Sequence, residues 1–317
     1  MAGASRVPPR GAFITGLPRS GTSLLVSLLD GHADVMRLPV ETHVVSWHAE
    51  PDPVSALLQT TRFGALFAPG TEERGVLEAA LRARLPGPAD VRTALLALLE
   101  ACALARPPRG APSVWLEKTP KHVRSLPVLL AAFGPQTRAV ILLRDPRATF
   151  ASHKARWGRA GARAARRFAR KWAEVDALAR RLAAERADVL VLRYEDLVAD
   201  TEGCMRALAA HVGITFDAAL LQPTRRGQQW AGNSSYAESR QGVSSASLER
   251  WRQALTPEEV AALERALDRR LRERGYAPSQ PARQAPLQRW LDEAVVAVRL
   301  WRLRLRWRRG VRRIRPA

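Results

Sequence analysis

A glycine-bearing loop between an apolar run and a leucine-rich segment constrains this chain more than any other feature. Residues 11–15 have the composition of a short buried strand. Gly16 and Gly21 then bracket a loop, and leucines at 24, 25, 28 and 29 recur at helical spacing. The order strand, glycine loop, helix predicts a phosphate site, because it exposes backbone N–H groups and the positive end of a helix dipole.

Three further apolar runs repeat this arrangement. Residues 139–143 stop at Arg144-Asp-Pro before a predicted helix through Trp157, and 188–193 precede a predicted helix over 201–212. Residues 114–116 run into Glu117-Lys-Thr-Pro. Short apolar strands that alternate with helices predict an α/β fold of three layers, similar to that of P-loop proteins, with a central parallel sheet flanked by helices. Ligands of such folds bind at the carboxyl ends of the strands.

The sequence predicts one large domain and a basic tail. With 317 residues and 46% hydrophobic side chains the chain can bury a substantial core, which we place at residues 8–277. Residues 278–317 read as a linker and a tail rich in tryptophan and arginine. The tail begins with helical spacing, whereas residues 301–308 alternate with a period of two, more like a strand.

The net charge of +21 raises the question of an anionic partner. Ten arginines against two acidic residues lie between 289 and 317, so the tail supplies much of this charge. Trp290, Trp301 and Trp307 among these arginines suggest peripheral contact with an anionic membrane. A nucleic-acid-binding protein is the alternative, but it leaves the strand-end motifs unexplained, so we expect no nucleic acid partner.

The two cysteines and the hydropathy pattern bear on location and metal binding. Cys102 and Cys204 lie far apart without metal-ligand spacing, so we expect neither a disulfide framework nor a zinc site. No stretch of about 18 uncharged apolar residues and no signal peptide is recognisable. We expect a cytoplasmic protein, with the tail as a candidate contact to the inner membrane face.

The loop differs from that of nucleotide triphosphatases in one position. Their pattern requires a lysine after the second glycine, and Thr22 stands there instead. The cation of this loop is Arg19, and no acidic strand end suitable for magnesium is evident. An ATPase or GTPase is therefore disfavoured, and a small-molecule kinase that uses ATP is kept as the alternative function.

An ordered series of motifs resembles one known superfamily. The series runs through Phe13-Ile-Thr-Gly-Leu-Pro-Arg-Ser-Gly-Thr22, Leu29-Asp-Gly-His32 and Glu41-Thr42. It resembles the start of tyrosylprotein and related bacterial sulfotransferases, which use 3′-phosphoadenosine 5′-phosphosulfate (PAPS). The resemblance implies that PAPS is the co-substrate and that no metal is required. It also implies that the following loop residues bind the 5′-phosphosulfate: Pro18, Arg19, Ser20, Gly21, Thr22 and Ser23.

A second motif resembles the 3′-phosphate site of the same superfamily. In Arg144-Asp-Pro-Arg-Ala-Thr-Phe-Ala-Ser152 an arginine leaves a strand and a serine follows about two turns into the next helix. The arginine fork can hold two phosphate oxygens and the serine hydroxyl a third. The alternative is that Arg144 only pairs with Asp145 or Glu195.

Two further positions complete the nucleotide site that the resemblance implies. Tyr194 belongs to a motif that resembles one near the nucleotide in this superfamily. The alternative is that it only packs as a half-buried side chain at a strand end. Ser234 falls in a loop that resembles the one closing over the 5′ end of PAPS. Gln241 occupies the place in this loop where tyrosylprotein enzymes carry a lysine.

Sulfuryl transfer needs a base for the acceptor proton and cations for the leaving group. The resemblance assigns the base to Glu41, with His43 as the competing candidate because its ordinary pKa suits the task. A simpler alternative is that Glu41 is a solvated carboxylate that pairs with Arg37. Arg19 and Lys118 are the candidate cations. The acceptor, a hydroxyl or an amine, stays open.

Overall fold

The structure of the protein is a computed structural model. It describes residues 6–60, 63, 67–108, 110–232, 242–279 and 286–314, with the side chains of 290–308 in the last of these segments. Ser234 and Gln241 lie outside the described residues, so the predicted role of Ser234 stays a prediction.

A five-stranded parallel sheet forms the centre of the molecule, in the order β2-β3-β1-β4-β5. The sheet and the helices on its two faces confirm the predicted α/β architecture. The strand with the glycine loop, β1, lies in the middle, between β3 and β4. The strands are β1 (Arg10–Gly16), β2 (Val35–Arg37), β3 (Val114–Lys118), β4 (Thr137–Leu143) and β5 (Val189–Arg193).

Helices follow the strands along most of the chain, and a small antiparallel hairpin, Thr224–Arg225 with Gln228–Gln229, lies after the last strand. We call these two short strands β6 and β7. The helices are α1 (Thr22–Leu29), α2 (Pro53–Leu58), α3 (Glu72–Arg84), α4 (Val91–Ala105), α5 (Leu126–Phe133), α6 (Pro146–Trp157), α7 (Ala162–Glu185), α8 (Tyr194–Ala199), α9 (Thr201–Val212), α10 (Trp251–Ala254), α11 (Pro257–Glu273) and α12 (Pro286–Ile314).

Two apolar cores lie on opposite faces of the sheet, because successive strand residues point to opposite sides. Phe13 belongs to the core that includes Trp115, and the neighbouring Ile14 belongs to the core under α1. The Phe13 and Trp115 rings meet edge to face with centroids 5.3 Å apart. Every residue of β1 after Arg10 is buried, which explains its uninterrupted apolar run.

The predicted helix through Trp157 and the predicted helix over about 201–212 are confirmed, as Pro146–Trp157 and Thr201–Val212. In α6 Asp145 caps the N-terminus, and in α9 Gly213 ends the helix in the left-handed conformation with φ +80°. By contrast, β2 has only three residues and carries no periodic pattern of its own. The hairpin β6–β7 was not predicted either.

The strand interpretation of residues 301–308 is wrong, because α12 is helical throughout. Leu303 and Trp307, four residues apart, are buried on one side, and the Trp307 indole N–H donates to the Arg124 carbonyl oxygen at 2.6 Å. The tail thus packs against α5 and α7. Among the described residues no helix is both long and apolar enough to span a bilayer.

Candidate active site

The glycine loop between β1 and α1 has a backbone that only glycine can adopt at two points. Gly16 has φ +153° and Gly21 has φ +101°. A Cβ atom at Gly16 would lie 2.4 Å from the Leu142 carbonyl oxygen, and one at Gly21 would lie 2.2 Å from the Tyr194 ring. The loop is therefore pressed against β4 and against the start of α8.

The N-terminus of α1 has backbone N–H groups that are available to bind an anion. The N-cap residue is Gly21, so no side chain caps the helix. Ser20 is 1% exposed, and its buried hydroxyl has no hydrogen-bond partner among the described residues. A buried hydroxyl without a partner is costly unless a ligand fills that place. These features fit the predicted 5′ site.

Arg19 and Ser152 connect the two predicted anion sites. The Arg19 Nε donates to the Ser152 hydroxyl at 3.0 Å, from the loop to the middle of α6. Arg19 has φ +71°, which is unusual for a residue with a side chain. The strained backbone turns its guanidinium toward the cavity that Ser152 also lines.

Arg144 lies at the end of β4 and faces the cavity. It donates to the Ser247 carbonyl oxygen at 2.8 Å, and its guanidinium lies 4.4 Å from the centre of the Tyr194 ring. The Tyr194 hydroxyl is 2.9 Å from the Ser247 hydroxyl. Arg144 Nε is buried without a partner among the described residues, so a hydrogen-bonding position remains for a phosphate.

The alternative pairing of Arg144 with a neighbouring carboxylate is wrong. Asp145 instead pairs with Arg147 at 2.7 Å. Glu195 accepts from the Asp145 backbone N–H at 2.9 Å and from the Tyr276 hydroxyl at 2.8 Å. Burial raises the pKa of Glu195. These carboxylates therefore hold the N-terminus of α6, and neither of them pairs with Arg144, which lines the cavity.

Glu41 lies at the opposite side of the loop, beside the end of β3. Its carboxylate accepts from Lys118 Nζ at 2.8 Å, and its other oxygen is 3.4 Å from His43 Nε2. Arg37 pairs with Asp30 at 2.7 Å, so the alternative pairing of Glu41 with Arg37 is wrong. The structure thus brings Glu41, Lys118 and His43 together at one wall of the cavity.

A buried network beneath this wall was missed by the sequence reasoning. Glu117 is fully buried and accepts from the hydroxyls of Thr42 and Thr119 and from His122 Nδ1 at 3.1 Å. Burial opposes its ionisation, but His122 and the two hydroxyls outweigh burial and hold the pKa below its usual value. The sequence signal was one carboxylate directly after the apolar run 114–116, and it does not identify the partners of Glu117.

Thr119 links the network to Glu41. Its hydroxyl oxygen accepts from the backbone N–H groups of Thr42 at 3.0 Å and His43 at 3.3 Å. His43 has φ +50°, so the chain turns sharply directly after Glu41 and Thr42. Thr119 and Glu117 therefore fix the backbone that carries Glu41 and His43.

His153 is a second residue that the sequence reasoning missed. Its Nε2 lies 2.8 Å from the Pro18 carbonyl oxygen, so it supports the glycine loop from α6. Burial lowers the pKa of His153 to about 4, despite the hydrogen bond to Pro18. The ring is neutral at neutral pH and donates to this carbonyl.

All predicted site residues that the structure describes lie in or directly behind one cavity of about 650 Å³. Among the described lining residues, eight are basic and Glu41 is the only acidic one. Four of the basic residues belong to the loop, to the end of β4, to α6 and to the segment before α10: Arg19, Arg144, Arg156 and Arg250. Four others lie near the ends of β2 and β3 and on the hairpin: Arg37, Lys118, Lys121 and Arg225.

No group of three or more His, Cys, Asp or Glu side chains that could hold a metal ion occurs in the part of the chain that the structure describes. The charge of the cavity is that of a site for anions. The loop and Arg144, the two predicted anion sites, line the cavity at separate places, as a ligand with two separated phosphate groups requires.

Comparison with known proteins identifies the family. The family described as "Sulfotransferase family" matches residues 11–218, well over half of the chain. A search of curated proteins finds no match. The sulfotransferase domain of the Synechococcus PCC 7002 olefin synthase is 20% identical, with TM-score 0.56, over 81% of this chain and 94% of that domain.

The sulfotransferase domain of the curacin biosynthetic pathway is similar to the same extent. It is 18% identical, with TM-score 0.56, over 86% of this chain and 99% of that domain. At these identities the two structures support the fold alone, whereas the family match covers both predicted anion motifs. The chain belongs to the sulfotransferase family.

Proposed function

We propose that this sulfotransferase transfers the sulfuryl group of PAPS to an acceptor hydroxyl or amine, with Glu41 as the base. The observation that carries the proposal is the pair of anion sites on either side of Arg19. One is the start of α1, which no side chain caps. The other comprises Arg144, which donates to the Arg19 carbonyl oxygen at 3.4 Å, and Ser152, which accepts from Arg19 Nε at 3.0 Å. A nucleotide with phosphate groups at both 5′ and 3′ positions has matching charges.

In this proposal the nucleotide occupies the carboxyl ends of β1, β4 and β5. Backbone N–H groups of the loop and the Ser20, Thr22 and Ser23 hydroxyls hold the 5′-phosphosulfate. Arg144 and Ser152 hold the 3′-phosphate, and Tyr194 holds the Arg144 guanidinium over its ring at 4.4 Å. Ser234 is kept as a proposed contact to the 5′ end.

The chemical step is an in-line displacement at sulfur. The acceptor oxygen or nitrogen forms the new bond to sulfur while the bond from sulfur to the 5′-phosphate oxygen breaks, and that oxygen keeps the electron pair. Glu41 takes the acceptor proton, and Lys118 at 2.8 Å favours the ionised carboxylate that this requires. Arg19 and Lys118 offset the charge that develops on the leaving phosphate.

His43 remains the competing base, because its Nε2 lies 3.4 Å from Glu41 and also lines the cavity. We favour Glu41, since it contacts Lys118 directly and the Thr119 hydroxyl fixes the backbone immediately after it. In this arrangement His43 orients Glu41 or the acceptor.

Calorimetric titration tests the donor. Wild-type protein is titrated with adenosine 3′,5′-bisphosphate (PAP), with 5′-AMP and with ATP–magnesium, and the series is repeated with Arg144→Ala. We expect PAP to bind at least about ten-fold more tightly than 5′-AMP, since a charge-assisted bidentate contact contributes well over 1 kcal/mol. The preference should disappear in Arg144→Ala, while 5′-AMP affinity stays the same.

Arg265→Gln is the matched control, because it removes one arginine charge from the exposed side of α11, away from the cavity. It should retain the PAP preference. Equal or tighter binding of ATP–magnesium that ignores Arg144 would refute the PAPS site and favour the small-molecule kinase.

We also propose peripheral contact of α12 with an anionic bilayer. Trp290 and Trp301 are 65% and 58% exposed, and exposed arginines follow them on the same helix. Tryptophan and arginine together suit the interface of anionic lipids. The protein should sediment with phosphatidylglycerol vesicles but not with phosphatidylcholine vesicles, and a Trp290→Ala/Trp301→Ala variant should lose this binding. Location at the inner membrane face stays a prediction.

A further inference from the structure

The cavity divides into two halves along the sheet. The nucleotide half, at the ends of β1, β4 and β5, contains the loop, Arg144 and Tyr194. The acceptor half, at the ends of β2 and β3, contains the segment from Arg37 to Glu41 and the hairpin β6–β7. If the nucleotide is held between the loop and Arg144, only the acceptor half is left for the second substrate.

The acceptor half carries more positive charge than the chemistry of transfer requires. Lys118 is already paired with Glu41 at 2.8 Å. Arg37, Lys121 and Arg225 line the same half. The proposed function uses none of the three to hold the nucleotide or to stabilise its leaving group. Asp30 pairs with Arg37, but neither Lys121 nor Arg225 has a carboxylate partner among the described residues. Like charges near one another are unfavourable, so a bound anion would stabilise this half.

The fold forces two of these arginines together. Asp30, nearly buried, accepts from Arg37 Nε at 2.7 Å, from the Thr224 hydroxyl at 3.1 Å and from the Gly227 backbone N–H at 3.1 Å. One carboxylate therefore anchors the hairpin beside Arg37. It holds Arg225 of that hairpin at the rim of the cavity.

The local charge remains positive after this anchoring. Burial lowers the pKa of Arg37, and Arg225 and Arg226 lower it further, although Asp30 opposes them. The Arg225 side chain is exposed, and within the described part of the chain it makes no hydrogen bond and no ion pair, although its backbone pairs with Gln228. A bound anion would accept charge-assisted hydrogen bonds from both arginines.

We propose that the acceptor carries an anionic group, a phosphate, sulfate or carboxylate, which Arg225 binds together with Arg37. The acceptor hydroxyl or amine then lies at Glu41, four residues from Arg37 on the same cavity-lining segment. The inference rests on the proposed function, since it assumes that PAP fills the nucleotide half. The acceptor class is thus a hydroxyl or amine compound that already bears a negative charge.

Calorimetry on PAP-saturated protein tests this inference. PAP saturation is established first for every variant, and the protein is then titrated with phenyl phosphate and, separately, with neutral benzyl alcohol. We expect phenyl phosphate to bind at least about ten-fold more tightly than benzyl alcohol. The preference should fall to less than about two-fold in Arg225→Gln, while Arg265→Gln should keep it.

The outcomes separate the two proposals. Failure of PAP to bind contradicts the proposed donor site itself. PAP binding without a preference for phenyl phosphate overturns the acceptor inference alone, as does a preference that survives Arg225→Gln. Arg225 is the residue to change, because Arg37 shares Asp30 with the hairpin and its loss would disturb the local fold.

Discussion

The two halves of the cavity are built in different ways. In the nucleotide half, backbone geometry and neighbouring strands set the site: Gly16 and Gly21 admit no side chain, and Arg144 is fixed by Ser247. In the acceptor half, side chains distant in sequence set it, through Asp30 for the hairpin and Thr119 for the Glu41 segment. The nucleotide half thus joins distant segments through a glycine loop and strand ends that short sequence motifs mark, whereas the acceptor half depends on single side chains that no motif marks.

The largest expected effect separates binding from chemistry. Glu41→Gln should lower kcat by about 10²- to 10⁴-fold, because it removes the base. Its PAP affinity should stay within about two-fold of wild type, since Glu41 lies in the other half. Both are measured with PAPS and any acceptor found in a screen of phenols, alcohols and amines, by PAP release and by calorimetry. His43→Gln is the matched variant, and a larger loss there than in Glu41→Gln would reverse the assignment of the base.

The next effect should appear in the nucleotide half. Gly21→Ala places a Cβ 2.2 Å from the Tyr194 ring in a backbone with φ +101°, so the loop must shift. We expect PAP affinity to fall about 100-fold, equivalent to about 2.8 kcal/mol. Gly70→Ala is the control, since it has a similar positive φ of +82° with nothing within 4 Å of its Cβ position. Equal losses in the two variants would mean that general strain, not the loop, is responsible.

A smaller effect tests how the acceptor half is held. Thr119→Val removes the oxygen that accepts from the Thr42 and His43 N–H groups, each of which costs about 1–3 kcal/mol when left unpaired. We expect kcat to fall about ten-fold with unchanged PAP affinity, and Thr119→Ser to restore kcat. Loss of PAP affinity in parallel with kcat would show that the two halves are not independent.

The smallest effect concerns pH and the nucleotide half. Because the folded pKa of His153 is lowered to about 4 from a usual 6.5, the unfolded chain takes up the proton first. Its contribution to stability is present above pH 6.5 and is lost as the pH falls toward 4. Over this interval the Tm of wild type should fall on the order of 2–4 °C more than that of His153→Gln, measured by thermal unfolding. Parallel Tm curves for the two proteins would contradict this role of His153.

The sequence predicted the parts of the molecule whose causes lie close together in the chain. Strand, loop and helix around Gly16–Ser23, and the strand end at Arg144 with Ser152, follow from local patterns, and the structure brings them to one cavity. The short β2 and the hairpin β6–β7 could not be predicted, because their pairing depends on β3 and on Asp30 rather than on periodicity.

The strand prediction for the tail was wrong and the buried network was missed for related reasons. Alternating Trp, Arg and Leu in residues 301–308 has the period of a strand, yet tertiary packing of Leu303 and Trp307 favours a helix. Glu117 reads as one charge at a strand end, and only the fold brings it to Thr42, 75 positions away. Contacts between distant segments leave little trace in a single sequence.

The attachment of the hairpin through Asp30 has a consequence for the evolution of acceptor specificity. Since two hydrogen bonds to the Asp30 carboxylate, from Thr224 and Gly227, hold the hairpin, its exposed residues can change without altering the sheet or the donor loop. If the hairpin binds the acceptor as proposed, duplicated genes that share this scaffold can diverge in the compounds they modify while they keep a common donor. Diversification would be concentrated in one surface turn, and ancestral reconstruction of that turn would trace it.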